Sequence, residues 1–149
     1  MKRTFLISNK GSRFWQGIPT IERTLTGRLW CAFFSGGPCE PDPQNHILLT
    51  TSSDDGRTWL EPMIVIDPPG MTRAFDPCLW IDPSQKLWLF YNLANPETKA
   101  YDVWAITTEK AEDEFPVWSS PMRIGFPVPF SFRINKPTVL SDGAWILPV

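Results

Sequence analysis

The stretch Ser52-Ser53-Asp54-Asp55-Gly56-Arg57-Thr58-Trp59 decides the fold of this chain. Apolar runs flank it, at residues 47–49 and 63–66. Two strand-like runs joined by a short segment that contains Asp and Gly predict a β-hairpin. An Asp side chain accepts hydrogen bonds from N–H groups of its own turn, and Gly56 can adopt a positive φ. Trp59 gives the hairpin a large apolar surface, so the stretch predicts a packed β-structure.

The overall composition agrees with a globular protein built from short strands. The chain has 149 residues, of which 42% are hydrophobic and 20% charged, and it contains sixteen Pro and eight Trp. Many prolines disfavour long helices, whereas aromatic residues favour strands. The net charge of -2 gives no electrostatic reason to expect a nucleic acid or an anionic membrane as a partner.

The cysteines and the single histidine predict neither a metal site nor a cofactor. Cys31, Cys39 and Cys78 are odd in number and match no zinc spacing, so free thiols are expected. A Cys31–Cys39 bridge stays open for a secreted protein. His46 has no partners for a metal and is expected to be structural. Residues 1–8 make a poor signal peptide and no run is long enough to span a membrane, so the compartment is left undetermined.

A repeat runs along the chain. Three segments share an apolar run that opens on Pro, a polar turn, and a second run that carries Trp. Successive markers lie 57 to 60 residues apart. The markers are Pro19, Pro77 and Pro137, then Trp30, Trp88 and Trp145, and finally Trp59 and Trp118. Independent markers that keep one period indicate a repeat architecture.

Each repeat unit predicts four antiparallel strands, which is one blade of a β-propeller. The first blade covers about residues 14–67, the second about 72–125, and the start of a third about 134–149. The predicted strands are residues 17–23, 28–34, 45–52, 63–66, 76–81, 87–91, 103–109 and 122–124. Residues 110–114 replace the Asp-containing turn in the second unit, and we expect this acidic run to be a solvated rim loop.

Two and a half blades are fewer than a propeller contains. We therefore expect residues 1–149 to form a single incomplete propeller domain, the N-terminal part of a longer protein whose remaining blades are missing. Its outermost surfaces should expose apolar side chains. The chain alone is expected to be inactive and prone to aggregation.

The pattern Ser-x-Asp-x-Gly-x-Thr-Trp is identical to the Asp-box of bacterial sialidases (neuraminidases) and other BNR-repeat propellers. The resemblance implies an all-β, six-bladed sialidase-type propeller. It also implies that the box residues are structural and lie on the outer rim of a blade, away from the sugar. These residues are Ser52, Asp54, Gly56, Thr58 and Trp59.

Polar residues precede each of the three aligned prolines, at the predicted mouth of the central channel. Because the start of a buried strand is more usually apolar, we interpret these residues as substrate-binding candidates. They are Gln16, Arg73, Asp76, Asn135 and Lys136. Two roles remain open for Asp76, a hydrogen bond to a sugar hydroxyl or a cap on the turn before Pro77.

The resemblance also implies a catalytic residue in the loop at residues 35–44, which leads into the strand before the box. Counting along this loop puts Glu40 at the position of the family's acid/base aspartate, with Asp42 as the alternative. The acid would protonate the leaving glycosidic oxygen, a role that partial desolvation of the carboxyl group favours.

Two departures from the family pattern bear on specificity. Gly17 occupies the place of the first of three arginines that hold a substrate carboxylate, and glycine cannot replace a guanidinium. Arg13, Arg73 or Lys136 are the available substitutes. The family's Tyr nucleophile lies in later blades, and no tyrosine of this chain matches its place.

The predicted function is that of a sialidase-like exo-glycoside hydrolase that removes a terminal sugar, acidic or otherwise, from a glycan. Two alternatives remain. One is a non-catalytic, carbohydrate-binding or structural propeller, and the other is a polysaccharide lyase on the same fold. The expected partner is a glycan or a small sugar.

Overall fold

The computed structural model describes residues 13–126 and 135–149, and all regular elements in these two ranges are β-strands. The strands form two four-stranded antiparallel sheets and one two-stranded sheet, with neighbours in sequence paired. The first sheet contains β1 (Gln16–Arg23), β2 (Leu29–Ser35), β3 (His46–Ser52) and β4 (Met63–Ile66). The second contains β5 (Arg73–Ile81), β6 (Leu87–Asn95), β7 (Ala100–Thr108) and β8 (Met122–Ile124). The third contains β9 (Thr138–Val139) and β10 (Trp145–Ile146).

This architecture confirms the all-β fold and the repeated four-stranded sheets. The described residues form no closed ring, and they contain no helix that could cross a membrane. Residues 1–8, considered above as an export signal, and residue 134, the expected start of the third unit, lie outside the described residues.

The second sheet is longer than its apolar residues predict. β5 begins at Arg73 and β6 continues to Asn95, because Arg73 pairs in register with Ala94 and Asn92 with Phe75. Backbone pairing along the ladder carries polar residues into these strands, which a hydrophobic pattern alone does not indicate.

Both faces of the central strands are buried. Strand β2 is apolar at every position except Ser35, whereas β3 ends in the polar run Thr50-Thr51-Ser52. In the first sheet, one face packs against the second sheet and the opposite face packs against Trp59. The residues of the first face are Trp30, Ala32, Phe34, Ile47 and Leu49. Those of the opposite face are Cys31, Phe33 and Leu48.

The same alternation joins the second sheet to the third. Cys78, Trp80 and Phe90 form a cluster on the face that points away from the first sheet, and Leu147 packs against that cluster. The Trp145 ring meets Trp80 edge-on at a centroid distance of 4.7 Å. The three sheets therefore follow one another in the order of the sequence repeat.

Apolar side chains of the third sheet are exposed. Val139, Trp145 and Ile146 are each between 40% and 51% exposed. This finding agrees with the expectation that the outermost surfaces of the chain present apolar groups.

The inner strands share a backbone irregularity. Ile18 and Asp76, each immediately before an aligned proline, have φ values of 42° and 47°. Both lie where the pairing register shifts, in β1 and in β5. A bulge of this kind bends the strand and redirects its side chains. The repeat thus extends from residue types to backbone conformation.

The acidic run at residues 110–114 does more than form a solvated loop. Glu112 is exposed, yet its carboxylate accepts hydrogen bonds from the Thr24 hydroxyl at 2.7 Å and the Thr26 N–H at 3.2 Å. The Trp30 indole N–H donates to the carbonyl of Ala111 at 2.8 Å. Burial raises the pKa of Glu112, but the hydrogen bonds from Thr26 and Thr24 outweigh it and leave the pKa lowered. The run therefore ties the second sheet to the first.

The Asp-box is closed by its own side chains. The Asp54 carboxylate accepts the N–H groups of Arg57 and Thr58, both at 2.9 Å, and the Thr58 hydroxyl at 2.7 Å. Ser52 donates its hydroxyl to Asp54 at 2.9 Å and accepts the N–H of Gly56 at 3.0 Å. Hydrogen bonds from the backbone and hydroxyl of Thr58 lower the pKa of Asp54 from 3.8 to about 2. The box is a structural turn, as the resemblance implies.

Replacing the carboxylate of the box should destabilise the protein in a pH-dependent way. Because the pKa of Asp54 is about 2 in the folded protein against an ordinary 3.8, its stabilisation is complete above about pH 4 and disappears as the pH falls towards 2. We expect Asp54→Asn to lower Tm by several degrees at pH 7, with the gap to the wild type narrowing below pH 4. Thermal melts followed by circular dichroism over this pH range measure the difference in Tm.

Asp113→Asn is the matched control, since Asp113 is exposed in the acidic run. It should leave Tm within about a degree of the wild type, as expected for surface changes. An Asp54→Asn variant that melts like this control at pH 7 would contradict the structural role of the box.

Candidate functional site

An open cleft of about 480 Å³ lies between the inner strands. Its walls come from residues 18–21 of β1, residues 76–78 of β5, and the pair Asn135 and Lys136 that precedes β9. The structure therefore brings together three of the residues predicted to bind substrate, Asp76, Asn135 and Lys136. The two bulges turn this part of β1 and β5 towards the cleft, where Ile18 and Ile21 are each 53% exposed.

Lys136 is paired within the cleft. Its Nζ lies 2.9 Å from Oε2 of Glu22 and 3.1 Å from the carbonyl oxygen of Ile21. The same Glu22 oxygen accepts the N–H of Ile81 at 3.4 Å. Glu22 thus joins three sheets. Glu22 was not among the site residues predicted from the sequence. The only signal was an acidic residue on an inner strand, directly after an apolar residue.

Glu40 and Arg73 form a second site beside this cleft. Nη1 of Arg73 lies 3.0 Å from Oε1 of Glu40, and their side chains are only 14% and 28% exposed, respectively. The guanidinium also stacks over the ring of Phe75 at 3.8 Å from the centroid. Because Glu40 holds the Arg73 guanidinium by a hydrogen bond and Phe75 holds its flat face, the orientation of this cation is fixed. Arg73 borders a recess of about 190 Å³. The other residues around this recess are Pro41, Asp42, Pro43, Met71, Ala94, Pro96 and Tyr101.

Asn45 holds the loop that carries Glu40. This fully buried side chain donates to the carbonyls of Gly36 at 2.7 Å and Cys39 at 3.2 Å, and accepts the N–H of Asp42 at 3.0 Å. Its own carbonyl accepts the N–H of Ala74 at 2.9 Å, which ties the loop to β5 beside Arg73. The sequence indicated only that Asn45 begins a strand. A buried amide after a Pro- and Gly-rich loop is the signal that could have revealed this role.

Asp42 and Gln16 are the two remaining predicted site residues. Oδ1 of Asp42 accepts the N–H of Gln44 at 2.8 Å, so part of this carboxylate closes its own turn. Gln16 lies at the start of β1, where it pairs in register with Ser35. Glu40 and Asp42 therefore both stay candidates for the acid/base.

Gly17 is packed too closely to hold a side chain. A Cβ atom built on it would lie 2.9 Å from Cε1 of Phe34, whose side chain is fully buried. An arginine at this position would therefore require the core to move. The close packing of Gly17 against Phe34 thus accounts for the absence of the family's first arginine.

Tyr91 and the three cysteines are further reactive side chains, and Cys78 lines the cleft. Burial raises the pKa of Tyr91 to about 12, so its phenol stays protonated at neutral pH. Cys31 and Cys78 are buried free thiols and Cys39 is an exposed one. Across residues 13–126 and 135–149, no group of three or more His, Cys, Asp and Glu side chains is arranged to hold a metal ion.

Stacked four-stranded sheets around a polar cleft are typical of Asp-box propellers. Residues 27–149 match the family described as a BNR repeat-like domain, and the chain belongs to that family. Its fold is that of a sialidase-type propeller fragment. No curated protein matches the sequence.

Two solved structures are similar to this chain in fold. Hadza microbial sialidase Hz136 aligns with a TM-score of 0.65 and 15% identity, over 89% of this chain and 31% of the sialidase. A protein of unknown function from Dyadobacter fermentans DSM 18053 aligns with a TM-score of 0.64 and 16% identity, over 90% of this chain and 46% of its own. This chain therefore spans less than half the length of either protein.

Removing the Asn45 amide should unfold the loop around Glu40. Asn45→Ala leaves the buried carbonyl of Gly36, the partly buried carbonyl of Cys39 and the N–H of Asp42 without this partner, and an unsatisfied buried group costs about 1–3 kcal/mol. We expect the free energy of unfolding to fall by about 2–3 kcal/mol in urea titrations. Gln44→Ala, at the exposed neighbouring position, is the control and should change it by less than about 0.5 kcal/mol. Equal stabilities for the two variants would rule out the role given to Asn45.

Proposed function

We propose that this chain provides part of the active site of a sialidase-like exo-glycoside hydrolase, which removes a terminal sugar from a glycan. The observation that carries the proposal is the Glu40–Arg73 pair. A largely buried carboxylate lies 3.0 Å from a stacked guanidinium, on a loop that Asn45 fixes against β5. Three residues further along β5, Asp76 lines the open cleft.

In this proposal Glu40 is the general acid. Its carboxyl group gives a proton to the glycosidic oxygen as the bond from that oxygen to the anomeric carbon breaks. Water then adds its hydroxyl to the sugar and restores the proton to Glu40. Arg73 orients the Glu40 carboxyl group through its hydrogen bond, since the guanidinium is itself held by the Phe75 ring.

The cleft would hold the sugar being removed. Asp76 and Asn135 offer oxygen acceptors and an amide donor for hydroxyl groups, while Ile18 and Ile21 present apolar surface to the C–H face of the ring. This mixture of apolar walls and a few polar groups is typical of sites for small polar ligands.

A second candidate is a carbohydrate-binding propeller without catalysis. The close contact between Gly17 and the Phe34 ring favours it, because an arginine at position 17 would have to displace that ring. On this hypothesis the cleft binds sugar and the Glu40–Arg73 pair only stabilises the loop.

The two hypotheses differ in the effect of Glu40→Gln. In a polypeptide that carries all blades of the propeller, the hydrolase hypothesis predicts that kcat for an aryl glycoside falls about 10²-fold or more, because the amide cannot donate the proton. KM should change little, since the cleft is unaltered. Steady-state kinetics on a panel of aryl glycosides give the result.

Asp42→Asn is the control and should lower kcat much less than Glu40→Gln. Unchanged turnover in Glu40→Gln would remove Glu40 from the mechanism. A wild-type protein that binds sugars yet hydrolyses no glycoside of the panel would support the binding hypothesis.

A further inference from the structure

We propose that the sugar held by this site is neutral and carries no carboxylate, an inference that rests on the proposed function. Sugars that differ only in a carboxylate are distinguished by the charge of the surface that receives them. Of the residues that the structure describes, the two cations at the site each face a glutamate, and the acids around them outnumber the bases.

The first neutralised cation is Arg73. Its guanidinium donates to Glu40 at 3.0 Å and lies flat against Phe75 at 3.8 Å. A substrate carboxylate could form a bidentate pair with Arg73 only by displacing Glu40 or by approaching close to it. Either route opposes binding, because the first breaks the largely buried contact between Arg73 and Glu40, and the second places the substrate carboxylate beside Glu40, which repels it whenever Glu40 is ionised.

The second neutralised cation is Lys136, which lines the open cleft. Two of its three N–H donors are directed to Oε2 of Glu22 at 2.9 Å and to the carbonyl of Ile21 at 3.1 Å. Glu22 is in turn fixed by the N–H of Ile81 at 3.4 Å. The Lys136 charge is therefore largely compensated by Glu22 while it joins the third sheet to the first, which weakens its attraction for an anionic ligand.

The charges that the described residues place at the two recesses sum to a negative value, with or without the catalytic proton on Glu40. Within residues 13–126 and 135–149, two bases and four acids line the recesses or pair with residues that do: Arg73 and Lys136, against Glu22, Glu40, Asp42 and Asp76. Arg13 borders a different recess, together with Asp67. Repulsion inside a partly desolvated cleft is stronger than in water, so a sugar acid would bind less well than its neutral counterpart.

Neutral hydroxyl groups match this surface. Carboxylates such as Asp76 accept hydrogen bonds from hydroxyls, and the exposed side chains of Ile18 and Ile21 suit the C–H face of a pyranose ring. Glu22 and Glu40 are thus the specificity-determining residues, because each removes one cation from contact with the substrate.

Matched glycosides test the proposal directly. We would titrate a polypeptide that carries all blades of the propeller with the methyl glycosides of glucose and galactose, and with those of glucuronic and galacturonic acid, following chemical shifts by NMR. Each neutral glycoside should bind at least about tenfold more tightly than its acid, equivalent to about 1.4 kcal/mol. Raising the salt concentration should narrow the difference, since salt screens the repulsion.

A variant that removes the negative charge facing Lys136 tests whether Glu22 sets the preference for neutral sugars. Glu22→Gln frees Lys136 and should strengthen binding of the two uronic acid glycosides about tenfold, because charge-assisted hydrogen bonds are among the stronger ones. The affinity for the neutral glycosides should stay the same. Glu61→Gln makes the same charge change at an exposed position between the Asp-box and β4, and should alter neither affinity.

Each outcome separates the two proposals. Wild-type protein that binds the acids as tightly as the neutral sugars overturns the neutral-sugar inference and leaves the sugar site standing. A folded Glu22→Gln variant with unchanged affinity for the acids overturns the role of the Glu22–Lys136 pair. If none of the four glycosides binds, the sugar site itself is refuted and the inference falls with it.

Discussion

The structure depends on sheets that are apolar on both faces and must be covered on both. Strands β2 and β3 bury Trp30 and Leu49 on one side and Phe33 and Leu48 on the other. A sheet of this kind cannot remain at a protein surface, so it must pack between neighbours. The period of about 58 residues is the sequence counterpart of that requirement, since each unit supplies one face for the unit before it and one for the unit after it.

This packing also creates the candidate site. Because the first two sheets are stacked, β5 lies beside the loop that Asn45 organises, and the Asn45 carbonyl binds the N–H of Ala74. Arg73 immediately precedes Ala74, which places its guanidinium against Glu40. At the other end of the interface Glu112 accepts hydrogen bonds from the turn at Thr24. Polar contacts thus complete an interface whose energy comes mainly from apolar burial.

Local patterns predicted more of the fold than of the site. The Asp-box predicted a hairpin because its side chains bond within eight residues, and Asp54 meets Thr58 as expected. The strands and their order followed from apolar runs and their spacing. The Glu22–Lys136 contact joins residues separated by 114 positions, and no local pattern encodes such a pair. Likewise, the acidic run was expected to be solvated. Its partners lie at the Thr24 turn of another sheet, and no local pattern of the sequence shows them.

The central claim is that the inner strands of successive units lie side by side, and its most direct test joins β1 to β5. The Thr20 hydroxyl oxygen lies 3.2 Å from the backbone nitrogen of Leu79, although the two residues are 59 positions apart. In NMR spectra of the chain with Thr and Leu labelled, the account predicts a nuclear Overhauser effect between the Thr20 side chain and the Leu79 amide. A Leu79 amide that shows contacts only within its own sheet, in a folded sample, would contradict the account.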